Sequence, residues 1–99
     1  MPRPAEKSSP PEPEARIAAC FFVSGDTAPG FAPRVLELFA KRNIVPDEFR
    51  ARVVGGRQSI EIRAPGMAPE LAAYIGRCIR QIVSVERVLV SHEEQGDGA

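Results

Sequence analysis

The chain holds few of the side chains that usually perform catalysis: two cysteines, Cys20 and Cys78, and a single histidine, His92. Each cysteine lies in an apolar run, which favours two buried thiols over a disulfide or a reactive thiol. His92 is close to the carboxyl terminus, where the pattern favours a solvated tail residue over a metal ligand or a base. No nucleophile is paired with a base, so we predict no enzyme, no metal site and no cofactor.

Three acidic residues flank predicted loops: Asp26, Asp47 and Glu48. None is paired with a second acid or a nucleophile, so no set of residues suits hydrolysis or group transfer. Carboxylates at such positions stabilise turns and form salt bridges across hairpins. We therefore expect structural roles for them.

Charge and hydropathy exclude further classes of function. The 13 basic and 13 acidic residues give a formal net charge of zero, whereas binding to nucleic acid requires a surplus of Lys and Arg to neutralise phosphates. No apolar run has the length of a signal peptide or a membrane span. We expect a cytoplasmic protein that binds neither nucleic acid nor membrane.

The composition divides the chain into one domain and two tails. Residues 1–15 hold five of the ten prolines and almost no large apolar side chains, so we expect a disordered Pro-rich tail. Residues 92–99 are polar and are expected to form a flexible tail. The remaining residues, 16–91, suffice for one small domain.

A strand, a turn and a helix over residues 16–43 organise this domain. The apolar run RIAACFFV predicts a strand covered on both faces. Pro33 is tolerated only in the first turn of a helix, which places the N-cap near Gly30 and the helix over about residues 31–42. Its apolar stripe is Phe31, Val35, Leu38 and Phe39. Asn43 is suited to close the helix in a left-handed conformation.

The next segment predicts a hairpin. The runs EFRARVV and RQSIEIRA alternate apolar and polar residues on either side of Gly55-Gly56, which is typical of a two-residue turn. With this turn, Phe49 faces Ile62 and Ala51 faces Ile60. Opposite charges then face each other on the other side of the hairpin.

A second helix over residues 67–81 and a Val-rich strand over residues 83–91 complete the order βαββαβ. This order predicts an α+β fold, a ferredoxin-like sandwich with two helices on one face of a four-stranded antiparallel sheet. The first and third strands are expected at the centre. The opposite face of the sheet then carries an apolar patch of Ala18, Cys20, Phe22 and Leu89, which indicates an interface, with a solvated face as the alternative.

Two relatives of this architecture are excluded by their site residues. An RNA-recognition domain needs aromatic side chains on its central strands, and the third strand, QSIEIR, has none. A metal-carrying domain needs a Cys-x-x-Cys pair near the first turn, where this chain has SGDTAPG.

Two segments resemble the ACT domain. Pro29 to Arg42 is similar to its opening, in which Pro-Gly precedes a helix with Arg-Val-Leu and Leu-Phe, and Ile79 to Val88 is similar to its close. The resemblance covers about residues 16–91. Among ACT proteins it is greatest to the short, single-domain small regulatory subunits of acetohydroxyacid (acetolactate) synthase.

The resemblance implies a regulatory role without catalysis, in branched-chain amino-acid biosynthesis. ACT domains pair and bind amino acids near the first turn, which implies a homodimer, a small amino-acid effector and the large catalytic subunit of the synthase as partner. A free-standing dimeric amino-acid sensor and a structural homo-oligomer without ligand are the alternatives. The implied ligand-binding residues are Asp26, Thr27, Ala28, Gly30, Phe31, Ala32 and Asn43.

The chain departs from the ACT pattern at three positions. Thr27 stands where an acidic residue is frequent, and Ala32 stands where Leu is usual. The Asn that often follows the first helix falls at Val45 or is displaced to Asn43. A Val side chain offers no hydrogen bond to a ligand.

Overall fold

The computed structural model describes residues 17–94, so the predictions for residues 1–15 and for the last five residues lie outside the described part of the chain. The elements follow the predicted order: β1 (Ile17–Asp26), α1 (Phe31–Ala40), β2 (Glu48–Val54), β3 (Arg57–Pro65), α2 (Pro69–Arg80) and β4 (Val85–Glu94). The four strands form one antiparallel sheet in the order β2-β3-β1-β4. The ferredoxin-like sandwich, with the first and third strands at its centre, is confirmed.

The β2–β3 hairpin has the predicted register. Phe49 pairs with Ile62 and Ala51 with Ile60, and both turn glycines have the positive φ that such a turn requires. The predicted facing of opposite charges is confirmed as well, since Arg50 pairs with Glu61 and Arg63 with Glu48. Two ion pairs nevertheless join other partners. Arg50 donates to Glu48 on its own strand at 2.9 Å, and Arg63 donates to Asp47 at 2.6 Å. These long side chains therefore select partners beside or beyond the residue directly opposite.

The core lies between the sheet and the two helices. The ring of Phe21 on β1 meets the ring of Phe39 on α1 edge to face, with centroids 5.2 Å apart. The buried residues of α1 are Phe31, Val35 and Phe39, which confirms most of the predicted stripe. Leu38 is only half-buried.

Helix α2 packs closely against β4. Its buried face is Ala72, Ile75, Gly76 and Ile79, so two of these four residues are small. A Cβ on Gly76 would lie 2.9 Å from Cγ2 of Val90. The close approach of α2 and β4 therefore explains Gly76.

The first and last strands of the chain run further than their apolar segments. β1 continues to Asp26 and β4 to Glu94, because each residue of β1 from Ile17 to Ser24 has a β4 partner regardless of its polarity. His92 therefore lies in β4, opposite Ala19, and not in a tail. Val83, expected in the strand, is 92% exposed in the connection before it.

Candidate functional site

The turn between β1 and α1 is fixed from two sides. The backbone N–H of Asp26 donates to the carbonyl of Ser84 at 3.1 Å, and that of Thr27 donates to the carbonyl of Gly56 at 3.1 Å. The first contact joins the turn to the α2–β4 connection and the second to the hairpin turn. The turn is therefore held by backbone contacts from two distant segments.

Helix α1 begins at Phe31 with Gly30 as its N-cap, as Pro33 predicts, and no side chain caps it. The N–H of Phe31 donates to the carbonyl of Ala28 at 3.0 Å. Within residues 17–94, the N–H groups of Ala28, Gly30 and Ala32 have no backbone or side-chain acceptor. Unpaired N–H groups at a helix start, together with the helix dipole, favour an anion.

The guanidinium of Arg34 lies over this turn. A Cβ on Gly30 would lie 3.2 Å from its Nε and 3.3 Å from its Cζ. The site predicted from the sequence did not include Arg34. The spacing was the available signal, since residues four apart on a helix are neighbours.

The predicted site residues divide into two groups. Asp26 to Ala32 lie together, although the carboxylate of Asp26 accepts from Arg57 at 2.9 Å and Phe31 is fully buried. Asn43 has the predicted left-handed conformation, with φ of 57°. It follows the opposite end of α1, roughly 15 Å from the turn for a helix of this length. Within one copy, Asn43 is therefore separate from the turn.

Arg57 closes the same end of the sheet with two ion pairs. Besides Asp26, its guanidinium donates to Glu86 at 2.8 Å. This hydrogen bond and the charge of Arg57 lower the pKa of the Glu86 carboxyl, and Glu86 in turn raises the pKa of Arg57. β1 and β4 shift register here, where Ser24 pairs with Arg87 but Gly25 pairs with Val85.

The sheet face away from the helices has a shallow depression of about 380 Å³. Phe22, Leu89 and Cys20 contribute apolar surface, and Leu89 is 54% exposed. Charged residues of three strands, β2, β3 and β4, surround them: Glu48, Glu61, Arg63 and Glu93. This is the predicted surface with an apolar centre, although Ala18, which was expected in the patch, is fully buried.

Both cysteines are free, as expected, but each is half-buried and not fully buried. Cys20 alternates with core residues of β1 and therefore points to the uncovered face of the sheet. Its thiol donates a hydrogen bond to Oε2 of Glu93 at 3.5 Å. Burial, followed by this hydrogen bond, raises the pKa of the Cys20 thiol, which makes it a weak nucleophile at neutral pH.

The described residues offer little for catalysis or metal binding. Among residues 17–94, no three His, Cys, Asp or Glu side chains are grouped to hold a metal ion. Neither α1 nor α2 is long and apolar enough to cross a membrane.

A family model described as "ACT-like domain" matches residues 12–96. Comparison with curated proteins gives no match. The fold is shared with the ACT domain of GTP pyrophosphokinase from Chlorobium tepidum, at 11% identity and a TM-score of 0.66 over 75% of this chain and 96% of that one.

Two further structures show the same fold. The C-terminal domain of MgtC from Mycobacterium tuberculosis has 14% identity and a TM-score of 0.65, over 89% of this chain and 99% of that one. The ligand-free regulatory subunit of aspartate kinase from Thermus thermophilus has 19% identity and a TM-score of 0.60. This chain covers 51% of that subunit, and 78% of this chain is covered.

Proposed function

The chain belongs to the ACT-like domain family, and from that premise we propose that it is a regulatory subunit without catalytic activity. The proposed partner is the large catalytic subunit of an acetohydroxyacid synthase, in branched-chain amino-acid metabolism. Support for this choice comes from the similarity of Pro29 to Arg42 and of Ile79 to Val88 to the small subunits of that enzyme. The observation that carries a regulatory role is the β1–α1 turn, with its three unpaired N–H groups beneath Arg34.

In this proposal the turn binds the carboxylate of an amino-acid effector. The N–H groups of Ala28, Gly30 and Ala32 donate to the carboxylate, and Arg34 contributes a full positive charge beside them. Thr27 is exposed at the rim and its hydroxyl adds a donor or an acceptor. Asp26 keeps the turn in place through Arg57, and Phe31 anchors it in the core.

The proposed active form is a homodimer. The side chain of Asn43 lies too far from the turn of its own copy to contact the same ligand. In a pair, it reaches the ligand only from the second copy, so an effector at the interface would stabilise the dimer. Effector binding and dimerisation are then linked, and each increases the other.

Titration calorimetry of the full chain with valine, leucine and isoleucine tests effector binding. We expect saturable heat with at least one of them and about tenfold weaker binding by Arg34→Gln, since a charge-assisted hydrogen bond is lost. Arg52→Gln is the matched control, because Arg52 is exposed on β2 and forms no ion pair within residues 17–94. No heat at millimolar ligand would reject the effector site.

The catalytic partner is tested separately. We expect the tagged chain to retain a thiamine-diphosphate-dependent synthase subunit and to raise its activity when added to the isolated subunit. Unchanged synthase activity would reject the regulatory-subunit proposal. Effector binding without a synthase effect would favour the free-standing dimeric sensor.

A structural homo-oligomer is the remaining candidate, and the apolar depression on the uncovered sheet face favours it. It predicts a dimer in light scattering that ignores amino acids and is disrupted by Leu89→Glu. A monomer would reject it.

A further inference from the structure

The helical layer carries two guanidinium groups on one aromatic ring. Tyr74 lies on α2 and is 43% exposed. Cζ of Arg42 lies 4.9 Å from the centroid of its ring, and Cζ of Arg77 lies 5.8 Å from it. Both distances are within the range of a cation–π interaction. We name these three residues the Arg42–Tyr74–Arg77 cluster.

The two arginines come from different elements and are both restrained. Arg42 follows α1, where its Nη1 donates to the carbonyl of Leu38 at 3.4 Å and its backbone N–H donates to the carbonyl of Phe39 at 3.0 Å. A cation at this end of a helix is favoured by the helix dipole. Arg77 is three residues after Tyr74, so the two side chains share a face of α2. The ring thus fixes both cations at one place.

Neither arginine is neutralised by the described part of the chain. No carboxylate oxygen of residues 17–94 lies within 4.0 Å of either guanidinium. The acidic residues of the two helices are Glu37 and Glu70, and neither forms an ion pair with another described residue. Lys41, four residues after Glu37, has no carboxylate partner among residues 17–94 either, so it adds a third cation beside Arg42.

We propose that the Arg42–Tyr74–Arg77 cluster binds carboxylate side chains of an acidic segment of a partner protein. A guanidinium donates two parallel hydrogen bonds to a carboxylate, and the phenolic hydroxyl of Tyr74 adds a third donor beside them. Because the ring already restricts both arginines, binding costs less side-chain entropy than it would for free arginines.

The surroundings favour an acidic protein over other anions. Sites for small ligands are usually concave. The cluster lies instead on the outer surface of the helical layer, where a small anion would stay largely hydrated. Nucleic acid is disfavoured because its affinity depends on many phosphate contacts and the chain has no basic surplus. Within one copy, the cluster is also separated from the β1–α1 turn by the length of α1, so this proposal does not rest on an effector at that turn.

The test is an NMR titration of the isotope-labelled full chain with two probes, a Glu-Asp decapeptide and inorganic phosphate. We expect the Nε–Hε signals of Arg42 and Arg77 to shift saturably with the peptide. Binding should weaken about tenfold in Arg42→Gln and in Arg77→Gln. Tyr74→Ala keeps every charge, so its weaker binding would identify the ring as the platform. Arg87→Gln removes an exposed charge elsewhere and should bind as the native chain does.

Three results would overturn the proposal. The first is equal shifts of all exposed arginines with no effect of the cluster variants, which would mean general charge attraction. The second is saturation of the cluster by inorganic phosphate with no binding of the peptide. The third is unchanged peptide affinity in Tyr74→Ala. Thermal unfolding of each variant, followed by circular dichroism, confirms that the tested chains are folded.

Discussion

The arginines of the sheet and those of the helical layer are held in different ways. On the sheet, three arginines donate to carboxylates at 2.6–2.9 Å: Arg50 to Glu48, Arg57 to Asp26 and Glu86, and Arg63 to Asp47. In the helical layer, Arg42 and Arg77 lie on the ring of Tyr74. Within residues 17–94, neither of them has a carboxylate partner.

The arginines of the sheet join parts of the chain through ion pairs. Those of the helical layer leave their charge available to another molecule. Arg57 connects three segments that are distant in sequence, at the end of β1, the start of β3 and the start of β4. Arg42 and Arg77 join two neighbouring helices that already pack together. Because exposed ion pairs are weak, the end of the sheet near Arg57 must be stabilised mainly by close packing of its backbone.

Gly25→Ala tests that close packing, and it has the largest expected effect. A Cβ at this position would lie 2.0 Å from the carbonyl oxygen of Ser84 and 3.0 Å from the ring of Phe31. The obstacle is backbone, so β1 or the α2–β4 connection must move. We expect a loss of about 3 kcal/mol in the free energy of unfolding, measured by urea denaturation.

Gly55→Ala is the matched control for the added methyl group. Nothing lies within 4 Å of a Cβ there, but φ is +58°, so the cost is backbone strain of about 1 kcal/mol. Equal losses in the two variants would show that Gly25 is not tightly enclosed. The end of the sheet would then depend on Arg57 more than on packing.

Most of the fold could be predicted because short segments of the sequence carry the signals for its helices, strands and turns. The alternation around Gly55 and Gly56 determines the hairpin register, and Pro33 determines where α1 begins. Gly25 gave no such signal, since its requirement comes from Ser84, almost sixty positions later. Contacts between distant segments are set by the packed chain, so one strand's composition does not reveal them.

The candidate site was predictable only as a stretch of backbone. Sequence alone placed Asp26 to Ala32 at the start of a helix. It could not show that Arg57 takes the carboxylate of Asp26 or that Arg34 covers Gly30. Long charged side chains reach several partners, and their choice depends on the final arrangement of the strands. The Arg42–Tyr74–Arg77 cluster was not predicted for the same reason, because Arg42 is distant in sequence from Tyr74 and Arg77.

Arg57→Gln tests the ion-paired arginines of the sheet. Its expected loss of stability is smaller than that of Gly25→Ala. The hydrogen bond and charge of Arg57 hold the pKa of Glu86 below its ordinary 4.5. A lowered carboxyl pKa contributes stability above the unfolded pKa and loses it as the pH falls through the folded pKa. The native chain should therefore unfold at a higher temperature than Arg57→Gln at pH 7. This difference in unfolding temperature should shrink when the measurement is repeated at pH 3, below the ordinary pKa of Glu86.

Arg52→Gln is the control for removing a positive charge, and it should unfold like the native chain at both pH values. High salt should also reduce the difference in unfolding temperature between Arg57→Gln and the native chain, because both ion pairs of Arg57 are exposed. A difference that persists unchanged at low pH would mean that Arg57 stabilises the sheet through packing of its side chain.

The smallest expected effect concerns the arginines of the helical layer. A double-mutant cycle of Arg42→Gln and Tyr74→Ala measures the cation–π interaction between the guanidinium and the ring. We expect a coupling of about 0.5–1 kcal/mol in the free energy of unfolding. The cycle of Arg77→Gln with Tyr74→Ala should give less, since Arg77 lies 5.8 Å from the ring centroid against 4.9 Å for Arg42. Unlike the effect of Arg57, the coupling should be the same at pH 3 and pH 7, because no carboxylate takes part. A coupling lost at low pH would reveal an acidic partner of Arg42 and remove the distinction between the two sets of arginines.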